Sequence, residues 1–230
     1  MTSIALIGGT GALGAAIARR LAKAGESVIL GSRDPAKAAA AALALQAETG
    51  RPVQGLGNAE AAAAASIIIV TVPFASQETT LAEIASGCRG KIVVDTTVPL
   101  MPPKVMRVQL PLEGSAAVRA QKLLGEGVTV VSAFHNVAAH KLATDAIVEC
   151  DVLVFGDERA AREQVLRLVA QCGLRGLHYV LAELLDRLEP YRGFEHEHTG
   201  IPVIAPLVQV GLGCVDIRLF YKALDQLDCF

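Results

Sequence analysis

Three glycines near the start of the chain have the spacing of a loop that holds a pyrophosphate. They match the pattern G-x-G-x-x-G within GGTGALG, between an apolar strand-like run and a helical pattern. The first glycine permits a tight turn, the second lets a phosphate approach the backbone, and the third lets the helix lie close to the strand. Free N–H groups at the helix N-terminus then attract anions. The predicted binding residues are Gly9, Thr10, Gly11, Ala12, Leu13 and Gly14. The alternative is a glycine-rich turn that binds no ligand.

A polar and basic cluster follows the second apolar run, at the place where an acidic residue would favour NAD over NADP. The second apolar run ends at Ser32, which is followed by Arg33 and, about one helical turn later, by Lys37. In NAD sites a carboxylate at this place binds the ribose 2′-hydroxyl. A hydroxyl, a guanidinium and an ammonium suit the 2′-phosphate of NADP instead. We therefore predict NADP rather than NAD. The alternative, a solvated basic patch, is less favourable because cations are disfavoured at a helix N-terminus.

Three later positions also follow apolar runs. Pro73, Pro99 and His135 each stand where a predicted strand ends. In an open parallel sheet, ligands bind outside the carboxyl ends of the strands. These residues are therefore candidates for the same site. The alternatives are prolines that only terminate strands and a histidine that is hydrogen-bonded within the core.

Strand-like runs alternate with helical patterns along most of the chain. The strands are continuous apolar runs, as in a parallel sheet that helices cover on both faces. Gly25 is the predicted C-cap of the first helix, and Asp34 and Pro35 are the predicted N-cap and first residue of the second. We predict an α/β fold with a Rossmann-like, doubly wound and mostly parallel sheet over residues 1–180. Residues 181–230 are predicted to form a small C-terminal segment.

Composition limits the classes of function. The 230 residues are 52% hydrophobic and 19% charged, which excludes a disordered chain. A net charge of −2 disfavours nucleic acid as a partner. The five cysteines form no C-x-x-C pair, and the N-terminus has no basic region of a signal peptide. We expect a cytoplasmic protein with no membrane partner.

Five segments in order resemble the NADPH-dependent reductases of coenzyme F420, also called F420H2:NADP oxidoreductases. They read IALIGGTGALG, VILGSRDPAKA, IIIVTVPF, KIVVDTTVPL and VVSAFHNVAA, and the similarity covers residues 1–178. The resemblance implies an oxidoreductase that transfers a hydride between NADPH and the deazaflavin coenzyme F420. It also implies that both coenzymes are small-molecule partners and that the chain forms a homo-oligomer.

The resemblance assigns roles to the motifs. It implies that the glycine loop and the Ser32, Arg33 and Lys37 set bind NADP. The residues implied beside the nicotinamide are Val72, Pro73, Thr97 and Pro99, and those implied toward the deazaflavin are Phe134, His135 and Asn136. His135, or backbone N–H groups near it, would steady charge on the deazaflavin. Direct hydride transfer needs no protein nucleophile and no metal. The chain has no H-x-x-x-H or G-x-S-x-G, and the adjacent residues of EHEH at 195–198 rarely close a metal site, so we predict no metal.

The last fifty residues depart from the family pattern. After His178 the family continues with Gly-Pro-Leu and an Asn-Ser or Asn-Ala pair, whereas this chain continues YVLAELLDRLEPYRG. One hypothesis is a change of reading frame in the gene near codon 178. Two other functions stay open: an NADP-dependent reductase of a small imine, ketone or metal chelate, and an NADP-binding protein without catalysis.

Overall fold

The protein, described from a computed structural model, alternates strands and helices. The structure describes residues 2–101, 107–108 and 111–179. The strands are β1 (Ser3–Ile7), β2 (Ser27–Ser32), β3 (Val53–Gly57), β4 (Ile67–Val70), β5 (Ile92–Asp95), β6 (Leu100–Met101), β7 (Arg107–Val108), β8 (Thr129–Ser132), β9 (Asp151–Phe155) and β10 (Arg175–Tyr179). The α-helices are α1 (Ala12–Lys23), α2 (Pro35–Thr49), α3 (Asn58–Ala64), α4 (Gln77–Ile84), α5 (Ala116–Leu124), α6 (Ala139–Leu142) and α7 (Arg159–Gln171). The segment 181–230 lies outside the described residues.

Eight of these strands form one sheet in the order β10-β9-β8-β5-β4-β1-β2-β3. The strands from β3 to β8 in this order pair in parallel, so their carboxyl ends meet at one edge. β9 pairs antiparallel with β8, and β10 pairs parallel with β9. β6 and β7 form a separate antiparallel pair. The prediction of a doubly wound and mostly parallel sheet is confirmed.

Both faces of the sheet are buried. In β4, Ile67 and Ile69 belong to the core cluster shared with α1, α2 and α7, while Ile68 and Val70 belong to the cluster shared with α3, α4 and α5. This two-sided burial explains why the strands are continuous apolar runs. No helix among the described residues is long and apolar enough to cross a bilayer.

The helix ends follow the local sequence signals. Asp34 is the N-cap of α2, and its Oδ1 accepts from the N–H groups of Ala36 at 3.0 Å and Lys37 at 3.2 Å. The predicted cap is therefore confirmed. α1 differs by one residue, because Ala24 is the C-cap and Gly25 follows it with a φ of 92°.

The free edge of β8 is completed by a side chain. β9 reaches β8 only at the pair Ser132 and Phe155. Near the start of β8, where β9 does not pair with it, the Gln121 amide of α5 donates to the carbonyl of Val128 at 2.9 Å and accepts from the N–H of Val130 at 3.2 Å. One side-chain amide thus replaces a missing strand neighbour.

Replacing Gln121 by Leu is expected to lower the free energy of unfolding by about 1–3 kcal/mol, because the carbonyl of Val128 and the N–H of Val130 lose their partners. Urea unfolding monitored by circular dichroism would measure the change. Lys122→Leu, at the exposed neighbouring position, is the control and is expected to change stability by less than about 0.5 kcal/mol. Equal stability of the two variants would contradict this role of the amide.

Candidate active site

The glycine loop joins the end of β1 to the start of α1. The N–H of Gly9 donates to the carbonyls of Leu6 and Gly31, both at 3.0 Å, and so fixes the loop on β1 and β2. A Cβ atom on Gly14 would lie 2.5 Å from Thr71 Oγ1 and 2.8 Å from the Cα of Gly9. The absence of a side chain at Gly14 is therefore what lets α1 pack this close to the end of β4.

The N-terminus of α1 is open to an anion. Its N-cap is Gly11, which is exposed, and among the described residues no side chain caps the helix. The first N–H groups of a helix have no partner within the helix and carry its partial positive charge. A Cβ on Gly11 would contact the Gly8 carbonyl at 3.2 Å and otherwise point into open space. This cradle fits the pyrophosphate of a dinucleotide, and the exposed Thr10 lies beside it.

The basic cluster lies at the adjacent turn, between β2 and α2. Ser32 is the last residue of β2 and is 8% exposed, and its Oγ accepts from the N–H of Asp34 at 3.1 Å. Arg33 and Lys37 are exposed. Because the Asp34 carboxylate caps α2, the two cations are the side chains left to meet a ligand at this turn. The hydroxyl and both cations suit a phosphate.

The end of β4 lies against the glycine loop. The Thr71 hydroxyl donates to the carbonyl of Ile7 at 2.9 Å, which joins the ends of β4 and β1. Val72 adjoins the loop closely, because a Cβ on Gly8 would lie 2.8 Å from its Cγ1. Pro73 is exposed beyond it. These two candidates therefore share a surface with the glycine loop.

The end of β5 carries a buried hydrogen-bond cluster that we name the Asp95 cluster, made of Gln77, Asp95 and Thr97. The Gln77 Nε2 donates to Asp95 Oδ2 at 3.0 Å and contacts Thr97 Oγ1 at 2.9 Å. The Thr97 hydroxyl donates to Asp95 Oδ2 at 3.1 Å, and its N–H donates to Oδ1 at 3.3 Å. All three residues are at most 3% exposed. Burial raises the pKa of Asp95 from 3.8 to about 6, and the donors from Thr97 and Gln77 limit this rise.

The chain after β8 turns sharply at Phe134. This residue is 1% exposed and has a φ of 64°, in the left-handed region that bulky side chains rarely adopt. Such a conformation costs on the order of 1–3 kcal/mol and persists where the surrounding packing fixes it. Phe134 is therefore a buried anchor, and the strained turn presents the next residues at the carboxyl edge.

His135 is partly buried and hydrogen-bonded. Its Nε2 lies 2.9 Å from Ser132 Oγ. Burial lowers the pKa of His135 from 6.5 to about 4, and a hydrogen bond with the backbone of Asp95 partly offsets this. The ring is therefore neutral near pH 7. The side chain of Asn136 is fixed by a hydrogen bond to the next strand. Its Nδ2 donates to the carbonyl of Asp151 at 2.8 Å and so holds the turn against β9.

A cavity of about 250 Å³ opens at this edge, between α5 and the ends of β5, β8 and β9. Its walls include Thr97, Ser115, Ser132, His135 and Phe155. The structure therefore brings two predicted residues, Thr97 and His135, to one cavity. The glycine loop and the basic cluster lie outside its walls, at the turns after β1 and β2.

Pro99 and Thr97, both predicted beside the nicotinamide, have buried side chains. Pro99 is buried after β5, and Thr97 is engaged in the Asp95 cluster.

The described residues contain no group of three or more His, Cys, Asp or Glu side chains that could hold a metal ion. The EHEH run at 195–198 lies outside the part of the chain that the structure describes.

Comparison with known proteins identifies the family. A family model described as "NADP oxidoreductase coenzyme F420-dependent" matches residues 3–99. The F420-dependent NADP reductase of Methanothermobacter thermautotrophicus is 40% identical over 200 residues, which cover 84% of this chain and 79% of that protein. The chain belongs to the F420-dependent NADP reductase family. The reductase of Methanocaldococcus jannaschii is 36% identical over 184 residues, 76% of this chain and 82% of that protein. The family expected from the five segments is confirmed.

Solved structures agree with membership of the F420-dependent NADP reductase family. A putative F420-dependent NADP reductase from Arthrobacter sp. FB24 superposes with a TM-score of 0.65 at 25% identity, covering 83% of this chain and 91% of that one. A hypothetical protein from Sinorhizobium meliloti gives a TM-score of 0.65 at 26% identity, covering 78% and 85%.

Several polar residues in and beside the candidate site of this reductase were not predicted from the sequence. They are Gln77, Asp95, Ser115 and Ser132. Asp95 and Ser132 carried a visible signal, because each is a polar residue at the end of an apolar run, in KIVVD and TVVS. Gln77 and Ser115 reach this region only through packing of α4 and α5 against the sheet.

The neutral state of His135 predicts a pH effect on stability. The folded pKa lies below the unfolded value, so the unfolded chain takes up the proton first as the pH falls. The stability gained by keeping this ring neutral is complete above pH 6.5 and is lost toward pH 4. Relative to His135→Gln, the natural protein is expected to lose about 2 kcal/mol between pH 7.5 and pH 5.

Urea unfolding of both proteins at the two pH values would measure this difference. Asp95 has the opposite effect, because its pKa is raised and acidification below about 6 stabilises the fold. It is present in both proteins, so the comparison isolates His135. A stability difference that does not change with pH would contradict a neutral folded imidazole.

Proposed function

We propose that the chain catalyses hydride transfer between NADPH and coenzyme F420. The observation that carries this proposal is the 40% identity, over most of both chains, to a protein named F420-dependent NADP reductase. When bound, NADPH gives up a hydride and F420 takes it up together with one proton. The protein's own task is to hold the two rings in contact, to orient them and to exclude water.

The turn after β2 supports NADPH rather than NADH. Arg33 and Lys37 are exposed there, and Ser32 adds a hydroxyl at the strand end. The acid of this stretch, Asp34, accepts from the first N–H groups of α2. We propose that the two cations and the hydroxyl bind the 2′-phosphate and that the open start of α1, from Gly11 onward, binds the pyrophosphate.

The carboxyl ends of β4, β5 and β8 supply the rest of the site in this proposal. Val72 and Pro73 would border the nicotinamide beside the glycine loop. The cavity lined by Thr97 and His135 would receive part of the deazaflavin. Because His135 is neutral near pH 7, we propose that it orients the deazaflavin through hydrogen bonds rather than through a positive charge.

Arg33→Glu is expected to raise the KM for NADPH by about tenfold or more, because a carboxylate would repel the 2′-phosphate. The KM for NADH is expected to change by less than about twofold, since NADH lacks that phosphate. Steady-state kinetics with both coenzymes would measure the ratio. Arg51→Glu is the matched control, because Arg51 is exposed just beyond the other end of α2. Equal losses with both coenzymes would contradict a phosphate-binding role.

The activity itself is tested with purified protein, NADPH and F420 by following the loss of the deazaflavin absorbance. We expect reduction of F420 that depends on enzyme concentration, and no comparable reduction of flavin mononucleotide. Saturable NADPH binding without F420 reduction would favour a non-catalytic NADP-binding protein. The homo-oligomer stays a proposal, which light scattering of the same sample would test.

A further inference from the structure

We propose that Gln77 and Asp95 are positioning residues that fix the loop 96–99 for hydride transfer. The inference rests on the proposed function, since that loop carries Thr97 into the cavity shared with His135. Neither Gln77 nor Asp95 lines the cavity. Each would therefore act through Thr97 rather than by contact with a coenzyme.

Asp95 holds the loop by two bonds to one residue. The N–H and the hydroxyl of Thr97 both donate to the Asp95 carboxylate, one to each oxygen. The adjacent Thr96 is fixed on the other side, because its hydroxyl donates to the carbonyl of Val70 at 2.9 Å. The buried carboxylate of Asp95 and the end of β4 therefore fix the direction in which the loop leaves β5.

Gln77 fixes the carboxylate in turn. It is the first residue of α4, is fully buried, and its Nε2 also contacts the carbonyl of Ala116 at 3.1 Å. Its Oε1 has no hydrogen-bond partner among the described residues. A buried amide oxygen without a partner is unfavourable and calls for an explanation. The orientation of the amide is set by its Nε2, which meets three acceptors and so joins α4, α5 and the end of β5 at the base of the loop.

The stability of the variants is measured separately, so that a loss of positioning is distinguished from a loss of folded protein. Burial raises the pKa of Asp95 to about 6, so the carboxylate is still mainly ionised at pH 7.5 and accepts from Thr97 and Gln77. In Asp95→Asn an amide NH2 group replaces one of these acceptor oxygens and faces a donor, so the Tm at pH 7.5 is expected to fall. A fall in Tm with an unchanged rate constant in the protein that stays folded would indicate a purely structural role.

Single-turnover kinetics provide the decisive measurement. The enzyme saturated with NADPH is mixed with F420, and the decay of the deazaflavin absorbance is recorded. The rate constant reports the positioning of the rings, whereas the amplitude reports the fraction of active protein. We expect the rate constant to fall about tenfold or more in Asp95→Asn and in Gln77→Met, since small misplacements of reacting atoms have effects of this size. The NADPH concentration for half-saturation is expected to change by less than about twofold, because the phosphate-binding turns are elsewhere.

Thr80→Val is the matched control. Thr80 lies one turn along α4, is 3% exposed and is not a member of the Asp95 cluster, so its rate constant should equal that of the unaltered protein. Rate constants within about threefold of the unaltered value in both cluster variants would overturn the inference. A loss in Asp95→Asn alone would overturn the role of Gln77.

A second readout does not need turnover. Hydrogen exchange by mass spectrometry is expected to show faster exchange of the amides of residues 96–98 in both variants, with β1 and α1 unchanged. If the unaltered protein does not reduce F420, the proposed function fails, and this exchange experiment alone then decides whether the cluster fixes the loop. Unchanged exchange of the amides of residues 96–98 would overturn the inference.

Discussion

The meeting of parallel carboxyl ends at one edge of the sheet is the constraint on which the site depends. Parallel pairing from β3 to β8 brings together turns that are far apart in sequence, from the glycine loop to the turn at Phe134. Backbone groups at such strand ends are not fully used by the sheet and remain available for turns and ligands. The antiparallel β9 extends past this edge, and Asn136 ties the last turn to it.

Burial at this edge of the sheet shifts the pKa values of Asp95 and His135 in opposite directions. Burial disfavours the charged form, so the pKa of Asp95 is raised and the pKa of His135 is lowered. Asp95 is kept near its charged state by donors from Thr97 and Gln77. His135 stays neutral because burial outweighs the backbone hydrogen bond with Asp95, which favours the charged ring, and no carboxylate is among the partners that set its pKa. The result is a site wall that gains little net positive charge at neutral pH, which suits transfer of a hydride between two rings.

The parts of the fold that the sequence predicts are those with strong local signals. Buried runs such as IALIG and IIIV, the glycine loop and the Asp34 cap all appear where the residue pattern indicates. The residue patterns did not predict β3, α5 or the short elements β6, β7 and α6. β3 contains Gly55 and Gly57 and is an edge strand, so it lacks the apolar run of a central strand. The Asp95 cluster could not be predicted, because its members come from α4 and β5 and meet only after the helix packs on the sheet.

In the proposed function, the preference for NADPH over NADH is linked to a local helix cap. In the stretch GSRDPAK the acid, Asp34, stands close to where an NAD site would need one. Its Oδ1 is committed to the N–H groups of Ala36 and Lys37, and Pro35 fixes the first turn of α2 in the geometry that makes those bonds possible. The capping bond thus satisfies the carboxylate and leaves Arg33 and Lys37 as the exposed charged groups of the turn. A residue pair suited to helix initiation thereby leaves two cations exposed at the turn, as the proposed phosphate site requires.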